Sequence, residues 1–298
     1  MTEDFSEAQE YFSAVLQDGM ALEFIPDEFK TAELCLAAVG NHPEALEFVP
    51  DDLKTVKLCL LAVKEAPGTL QFVPEELRTF EICLVAVQRD GFVLEFVPER
   101  LKTMELCIVA VQQDCYALNF VPEALKTAEM CHIAILLDCA GFALKYVPDD
   151  IKTLELCLAS VQKSSSALHF IPDELKTPEI YSAAVLHDGY ALGHAPIDLR
   201  TQELCLVAVQ TSGGALGYVP QALRTAEICL AAVEQDGRAL YFVPDELKTR
   251  ELCHIAVQQN PEALEYVPEA LQTPELLNLA VTENSGKENE DTSGFRQF

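Results

Sequence analysis

Cysteine is the residue type that could do the most chemistry in this chain, and nine of its eleven cysteines recur at one spacing. Cys35, Cys59, Cys83, Cys107, Cys131, Cys157, Cys205, Cys229 and Cys253 stand 24 residues apart, or a multiple of that apart, with one step of 26. Zinc sites bring two cysteines together through a gap of about two to four residues, which this ladder does not offer. If each cysteine sits on its own helix in a stack, neighbours lie about 8–10 Å apart, beyond the ~7 Å Cα limit for a disulfide. The ladder therefore reads as small core hydrophobes. Cys115 and Cys139 fall at a different position and are expected nearer the surface. The six histidines, His42, His132, His169, His187, His194 and His254, show no ligand spacing, and only His187 and His194 suggest a shared polar site. Phosphate-cradling glycine loops, zinc helix motifs and nucleophile elbows are missing from the sequence. The expectation is a non-enzyme with no catalytic residues, no metal and no cofactor.

Three further ladders could bind rather than react. Lys30, Lys54, Arg78, Lys102, Lys126, Lys152, Lys176, Arg200, Arg224 and Lys248 are ten of the twenty basic residues. They read as a cationic track for an acidic partner or as a structural ladder. In the structural version each pairs with the glutamate three residues on, as in Glu33, Glu81 or Glu105, and with carbonyls of the preceding turn; that spacing favours structure. Phe24, Phe48, Phe72, Phe96, Phe120, Tyr146, Phe170, Tyr218, Phe242 and Tyr266 could stack on bases, but the acidic chain and apolar flanks favour core. The position before the aromatic varies: Glu23, Glu47, Gln71, Glu95, Asn119, Lys145, His169, Gly193, Gly217, Tyr241 and Glu265. Its non-glycine members are the candidate partner-binding residues. An unconstrained exposed position would look the same.

These residues need a scaffold to position them, and the repeat supplies it. Proline recurs at 26, 50, 74, 98, 122, 148, 172, 196, 220, 244 and 268, and threonine follows five residues after each. The idealised unit is T-x-E-L-C-L-x-A-V-Q-x-D-G-x-A-L-E-F-V-P-D-E-L-K. Threonine caps a first helix, a role supported by Thr177-Pro178 and Thr273-Pro274, since proline suits the first helical position. Leu34, Cys35, Ala38 and Val39 share one face of it. Asp18, Asp90, Asp114, Ser164, Asp188, Ser212, Asp236 and Asn260 cap a short second helix that stops at the proline. The residues after the proline form one further turn, α or 3₁₀. Acidic residues there, such as Asp27, Glu28, Asp51, Asp52, Asp245 and Glu246, favour the turn and draw a negative stripe.

Elements this short are marginal alone, so each unit must bury its apolar face on its neighbours. The fold expected is all-α, an α-solenoid or superhelix of eleven 24-residue repeats, each of two short helices and a Pro-initiated turn. It spans 1–281 as a single body, with 1–30 an N-terminal capping partial repeat and 282–298 a disordered polar tail. A two-residue insertion near Leu136–Gly141 should swell one loop and kink the stack. In the repeat around 177–198, Tyr181 takes the cysteine position and His194 the aromatic one, read as volume compensation.

The pattern resembles an uncharacterised bacterial short helical repeat family with an A-L-x-x-A-x-x-x-L-K/R core, known only as a domain of unknown function. Ala21-Leu22-Glu23-Phe24 to Phe29-Lys30 and Ala239-Leu240-Tyr241-Phe242 to Leu247-Lys248 carry the resemblance. It covers about 7–282 and departs in the Val-Pro and Lys-Thr junctions. A weaker resemblance is to the leucine-rich variant repeats, which alternate α and 3₁₀ helices. Both imply a fold and neither implies a mechanism.

Charge narrows the partner. With 48 acidic and 20 basic residues, net −28, the chain should repel nucleic acid. No apolar run reaches the ~18 residues of a membrane span. Met1-Thr2-Glu3-Asp4-Phe5 lacks the pattern of a secretory signal, so eleven cysteines suggest free thiols in a reducing, cytoplasmic setting; export without a cleaved signal stays open. The leading function is a non-catalytic scaffold for a protein or peptide partner. The alternative is an acidic nucleic-acid mimic that occupies a nucleic-acid-binding protein.

Overall fold

A computed structural model describes residues 2–281 of the chain. The tail expected over 282–298 lies outside the described residues. Helices α1 (Thr2–Gln17), α2 (Ala32–Asn41), α3 (Val56–Glu65), α4 (Phe80–Val87), α5 (Met104–Gln113), α6 (Ala128–Leu137), α7 (Leu154–Val161), α8 (Pro178–His187), α9 (Gln202–Thr211), α10 (Ala226–Gln235) and α11 (Arg250–Gln259) are the first helices of successive repeats. A further helix covers 274–281. Among the described residues every regular element is helical. The first repeat, read as partial, carries all three elements, with α1 lengthened to 16 residues.

Capping explains where each first helix starts. Thr103 Oγ1 accepts from Leu106 N at 3.3 Å, and Thr31, Thr55, Thr79, Thr127, Thr153, Thr201, Thr225, Thr249 and Thr273 do the same three residues on. Thr177 is the exception: its hydroxyl oxygen is buried and unpartnered among the described residues. There Pro178 at the first helical position takes over the start signal.

The second helix is 3₁₀, six residues long in most repeats, as in Gly19–Phe24 or Gly91–Phe96. Asp90 Oδ1 accepts from Phe92 N at 2.9 Å, an Asx turn that tightens the entry. The pre-proline residue must be extended, and Val97 is, at φ −76° and ψ 127°. So short a segment forms more bonds with the 3₁₀ pattern than with the α pattern. The Pro-initiated turn is 3₁₀ too, for example Asp27–Phe29.

Two compact units form, one running to Asp138 and including Phe142–Lys152, the other holding Cys139–Gly141 and the chain from Thr153. In the first, α1 to α6 pack each on the next; in the second, α7 to α11 do, and the second helices stack likewise. Each unit is thus an α-solenoid. Its core repeats Leu94, Leu106, Cys107, Ala110 and Val111, all fully buried. Ser160 stands where the other first helices have alanine, and its hydroxyl donates to Leu156 O at 3.0 Å, which permits its burial.

The insertion swells one loop as expected. Asp138 is buried there, and its carboxylate accepts from Ala143 N at 2.6 Å and from Tyr116 Oη at 3.3 Å. Gly141, at φ 77°, supplies the left-handed turn. The second helix that follows is cut to Ala143–Tyr146.

Candidate interaction surface

The variable position opens to solvent in both units. Glu23, Glu47, Gln71, Glu95, Asn119 and Lys145 in the first, and His169, Tyr241 and Glu265 in the second, are all exposed. Each sits near the end of a second helix, and all but Glu265 stand beside a fully or nearly fully buried leucine such as Leu46, Leu118 or Leu240. The rigid helix end therefore fixes where each variable side chain starts.

These side chains are not independent of one another. In the second unit the variable positions 169, 193, 217 and 241 each face the aromatic position of the next repeat, 25 residues on. The rings of His169 and His194 lie edge to face at 5.0 Å, and those of Tyr241 and Tyr266 at 5.2 Å. A Cβ on Gly193 would stand 2.9 Å from the Tyr218 ring, and one on Gly217 3.0 Å from the Phe242 ring. The two glycines therefore make room for a large neighbour. In the first unit Lys145 Nζ lies 5.4 Å from the centroid of the Tyr146 ring.

This corrects the core assignment of the aromatic ladder. Phe48, Phe72, Phe96, Phe120, Tyr146, Phe170, Phe242 and Tyr266 are only half-buried, while Phe24 and Tyr218 are exposed. The rings lie on the solvent side of the second helix and cover the neighbouring variable position. Phe92 against Phe120 (4.8 Å) and Tyr190 against Tyr218 (6.4 Å) extend the same surface through a position the sequence did not single out. Its signal was there: an aromatic two residues after the second-helix cap. The pairing of His187 with His194 is also corrected, since His194 meets His169. His187 lies at the end of α8, exposed, while His194 ends the following second helix.

The basic ladder makes intramolecular bonds, but with partners other than those expected. Lys30, Lys54, Lys102, Lys126, Lys152, Lys176 and Lys248 pair with the acid three residues before, not three after, at 2.6–2.9 Å. Positions i and i+3 eclipse in a 3₁₀ turn, so the carboxylate that opens the turn lies over the lysine that closes it. Lys30 Nζ also donates to Phe48 O (3.0 Å), and Lys126 Nζ to Tyr146 O (3.1 Å), in the next repeat. Six of these side chains are only 6–11 % exposed, which does not suit a track for a partner.

Arginine bonds to carbonyls instead, even at Arg78, whose turn opens with Glu75. Arg200 donates to Ala195 O (2.9 Å), Tyr218 O (2.7 Å) and Gly193 O (3.1 Å), and Arg78 and Arg224 make the equivalent three bonds. Where arginine stands at 200 and 224, the acid position holds Ile197 and Gln221. The planar fork spends its donors on carbonyls, whereas a lysine point charge requires a carboxylate.

The cysteine ladder is buried throughout, and none of the eleven cysteines forms a disulfide. Cys115, expected near the surface, is buried against the start of its second helix, while Cys139 in the inserted loop is exposed. Burial pushes Cys83, Cys107 and Cys131 up from 9.0 to about 11, against the opposing pull of Arg78, Lys102 and Lys126. A thiol whose folded value is raised favours folding below its unfolded value, and that contribution fades as pH climbs through the folded value. Stability should therefore fall between about pH 9 and pH 11. Urea unfolding of the Cys83→Ala, Cys107→Ala, Cys131→Ala triple variant should show a shallower fall than the parent. An identical fall would mean that these thiols play no part.

Among the described residues no group of three or more His, Cys, Asp or Glu side chains is placed to hold a metal ion, and no helix is long and apolar enough to cross a membrane. A family model described as Domain of unknown function (DUF4116) matches residues 11–54, 56–102, 79–126 and 226–272, together more than half of the chain. No curated protein and no solved structure matches it.

Proposed function

Because the chain belongs to the repeat family described as a domain of unknown function (DUF4116), a description that carries no activity, we propose from its surface that it is a non-catalytic scaffold for a protein or peptide partner. One observation carries this reading. In eight repeats, helix starts and a buried leucine hold fixed a position whose side chain is exposed and whose identity is free to change, from Glu23 to His169 to Tyr241. Aromatic rings flank it, and exposed aromatics on rigid elements make good partner anchors.

Ion pairing bears on the alternative, an acidic mimic of a nucleic acid. One carboxylate in each of seven turns is held by its lysine, so the stripe is less negative than its composition. Cysteines outside disulfides fit a reducing, cytoplasmic setting.

The test compares two charge reversals of the full chain in affinity capture at low and high salt. Glu23→Lys, Glu47→Lys and Glu95→Lys alter the variable row. Glu33→Lys, Glu81→Lys and Glu105→Lys change as much charge on the first helices. Proteins retained by the parent at both salts should be lost with the first set and kept with the second. Equal capture by both would remove the variable row from the interaction, and capture that vanishes at high salt alone would favour the mimic.

A further inference from the structure

The two departures of the 177–198 repeat from its neighbours, Tyr181 for cysteine and His194 for an aromatic, come together in one place. Both line a cleft of about 220 Å³ in the second unit, with Leu168, His169 and Lys176. Four of these five residues bring a polar group; the equivalent cleft at Asn119, Lys126 and Tyr146 in the first unit is polar as well, but it lacks the buried tyrosine and the two histidines.

Each polar group has capacity to spare. Lys176 is the least covered lysine of the ladder, its side chain 27 % exposed where the others are 6–11 %. Histidine is smaller than the Phe or Tyr usual at position 194, which leaves the ammonium open to the cleft. It donates one N–H to Asp173 at 2.8 Å and has three. Asp173 is 91 % exposed and does not line the cleft. Tyr181 is only 4 % exposed, and its hydroxyl makes no hydrogen bond among the described residues, which leaves it available at the cleft. His169 Nδ1 lies 3.1 Å from Ser166 O; a carbonyl only accepts, so that nitrogen carries the proton and Nε2 faces away from the bond. Neither nitrogen of His194 is engaged among the described residues. An ammonium, a phenol and two imidazoles thus line one solvent-open cleft, and the positive charge of Lys176 disfavours a metal ion there.

We propose that this cleft binds a small oxyanion, with the Lys176 ammonium supplying the charge and the Tyr181 hydroxyl and His194 N–H donating to its oxygens. The proposal stands whether or not the repeat surface binds a protein. The full chain labelled with ¹⁵N at histidine is titrated with inorganic phosphate and, separately, with acetate, at constant ionic strength. The His169 and His194 ring signals should shift and saturate with a midpoint of about 1 mM or below, while His42, His132, His187 and His254 stay still. Saturation by acetate as well assigns the site to oxyanions generally; saturation by phosphate alone narrows it to phosphoryl groups. Lys176→Gln and Tyr181→Cys should each raise the midpoint about fivefold or more. Tyr181→Cys restores the residue that the other repeats use, so it keeps the test open if Lys176→Gln fails to fold. No shift at either ring, equal shifts at all six histidines, or an unchanged midpoint in Tyr181→Cys overturns the proposal.

Discussion

Gly91→Ala is expected to destabilise the chain by about 2–3 kcal/mol, while Gly40→Ala stabilises it by about 0.5–1 kcal/mol. The same substitution takes opposite signs because the two glycines meet different surroundings. A Cβ on Gly91 would press inside contact distance on the Ala110 carbonyl oxygen and stand 2.9 Å from Asp114 N, both backbone atoms of the next repeat. Ala110 O is already the acceptor for Asp114 N at 2.9 Å, so relief means shifting the end of α5. A Cβ on Gly40, inside α2, would meet nothing within 4 Å and would only restrain the unfolded chain. Gly19, Gly189, Gly213 and Gly237 share the tight approach. Gly19 and Gly237 also donate their N–H to the next repeat, to His42 Nδ1 (3.0 Å) and Gln259 Oε1 (2.6 Å). Proline at the same position, as Pro43 or Pro67, has no N–H to satisfy. Urea unfolding followed by circular dichroism at 222 nm separates the two variants; equal midpoints would mean that repeat spacing yields freely at Gly91.

Arg224→Ala should cost about 3 kcal/mol, the scale of losing charge-assisted bonds to three backbone carbonyls. Those carbonyls are Val219 O (3.0 Å), Phe242 O (2.8 Å) and Gly217 O (3.4 Å), the second of them in the next repeat. Arg224→Lys keeps the charge and should still lose about half as much, because an ammonium cannot span the fork. Position 221 is Gln, so the new lysine would find no carboxylate in its turn. Adding Gln221→Asp should recover about 0.5–1 kcal/mol in the lysine background and almost nothing beside Arg224, a coupling that a double-mutant cycle reads directly. If Gln221→Asp helps both backgrounds equally, the two positions are not alternatives for one task.

Much of the molecule was legible in the residues themselves. The threonine and aspartate caps, the proline stops and the buried Leu-Cys-Ala-Val face depend on contacts within about four residues, and spacing reports such contacts faithfully. The exposure of Glu47 or Tyr241 followed from the same reasoning, since a position left free by caps and core faces outward. The lysine ladder was read as structural but paired in the wrong direction. Glu33 and Asp27 are equally distant from Lys30 in sequence, and only the eclipsed geometry of a 3₁₀ turn puts Asp27 against it.

What the sequence determined, then, was the repeat, its boundaries, its caps and its core. Tertiary structure alone decided which side chains meet across repeats: His169 with His194, Gly193 with Tyr218, Arg224 with Phe242 O. Such pairs lie 18 or 25 residues apart, and whether they touch depends on the rise and rotation from one unit to the next. Those quantities are set by how closely helix faces approach, as at Gly91 against Ala110 O, which no local spacing encodes.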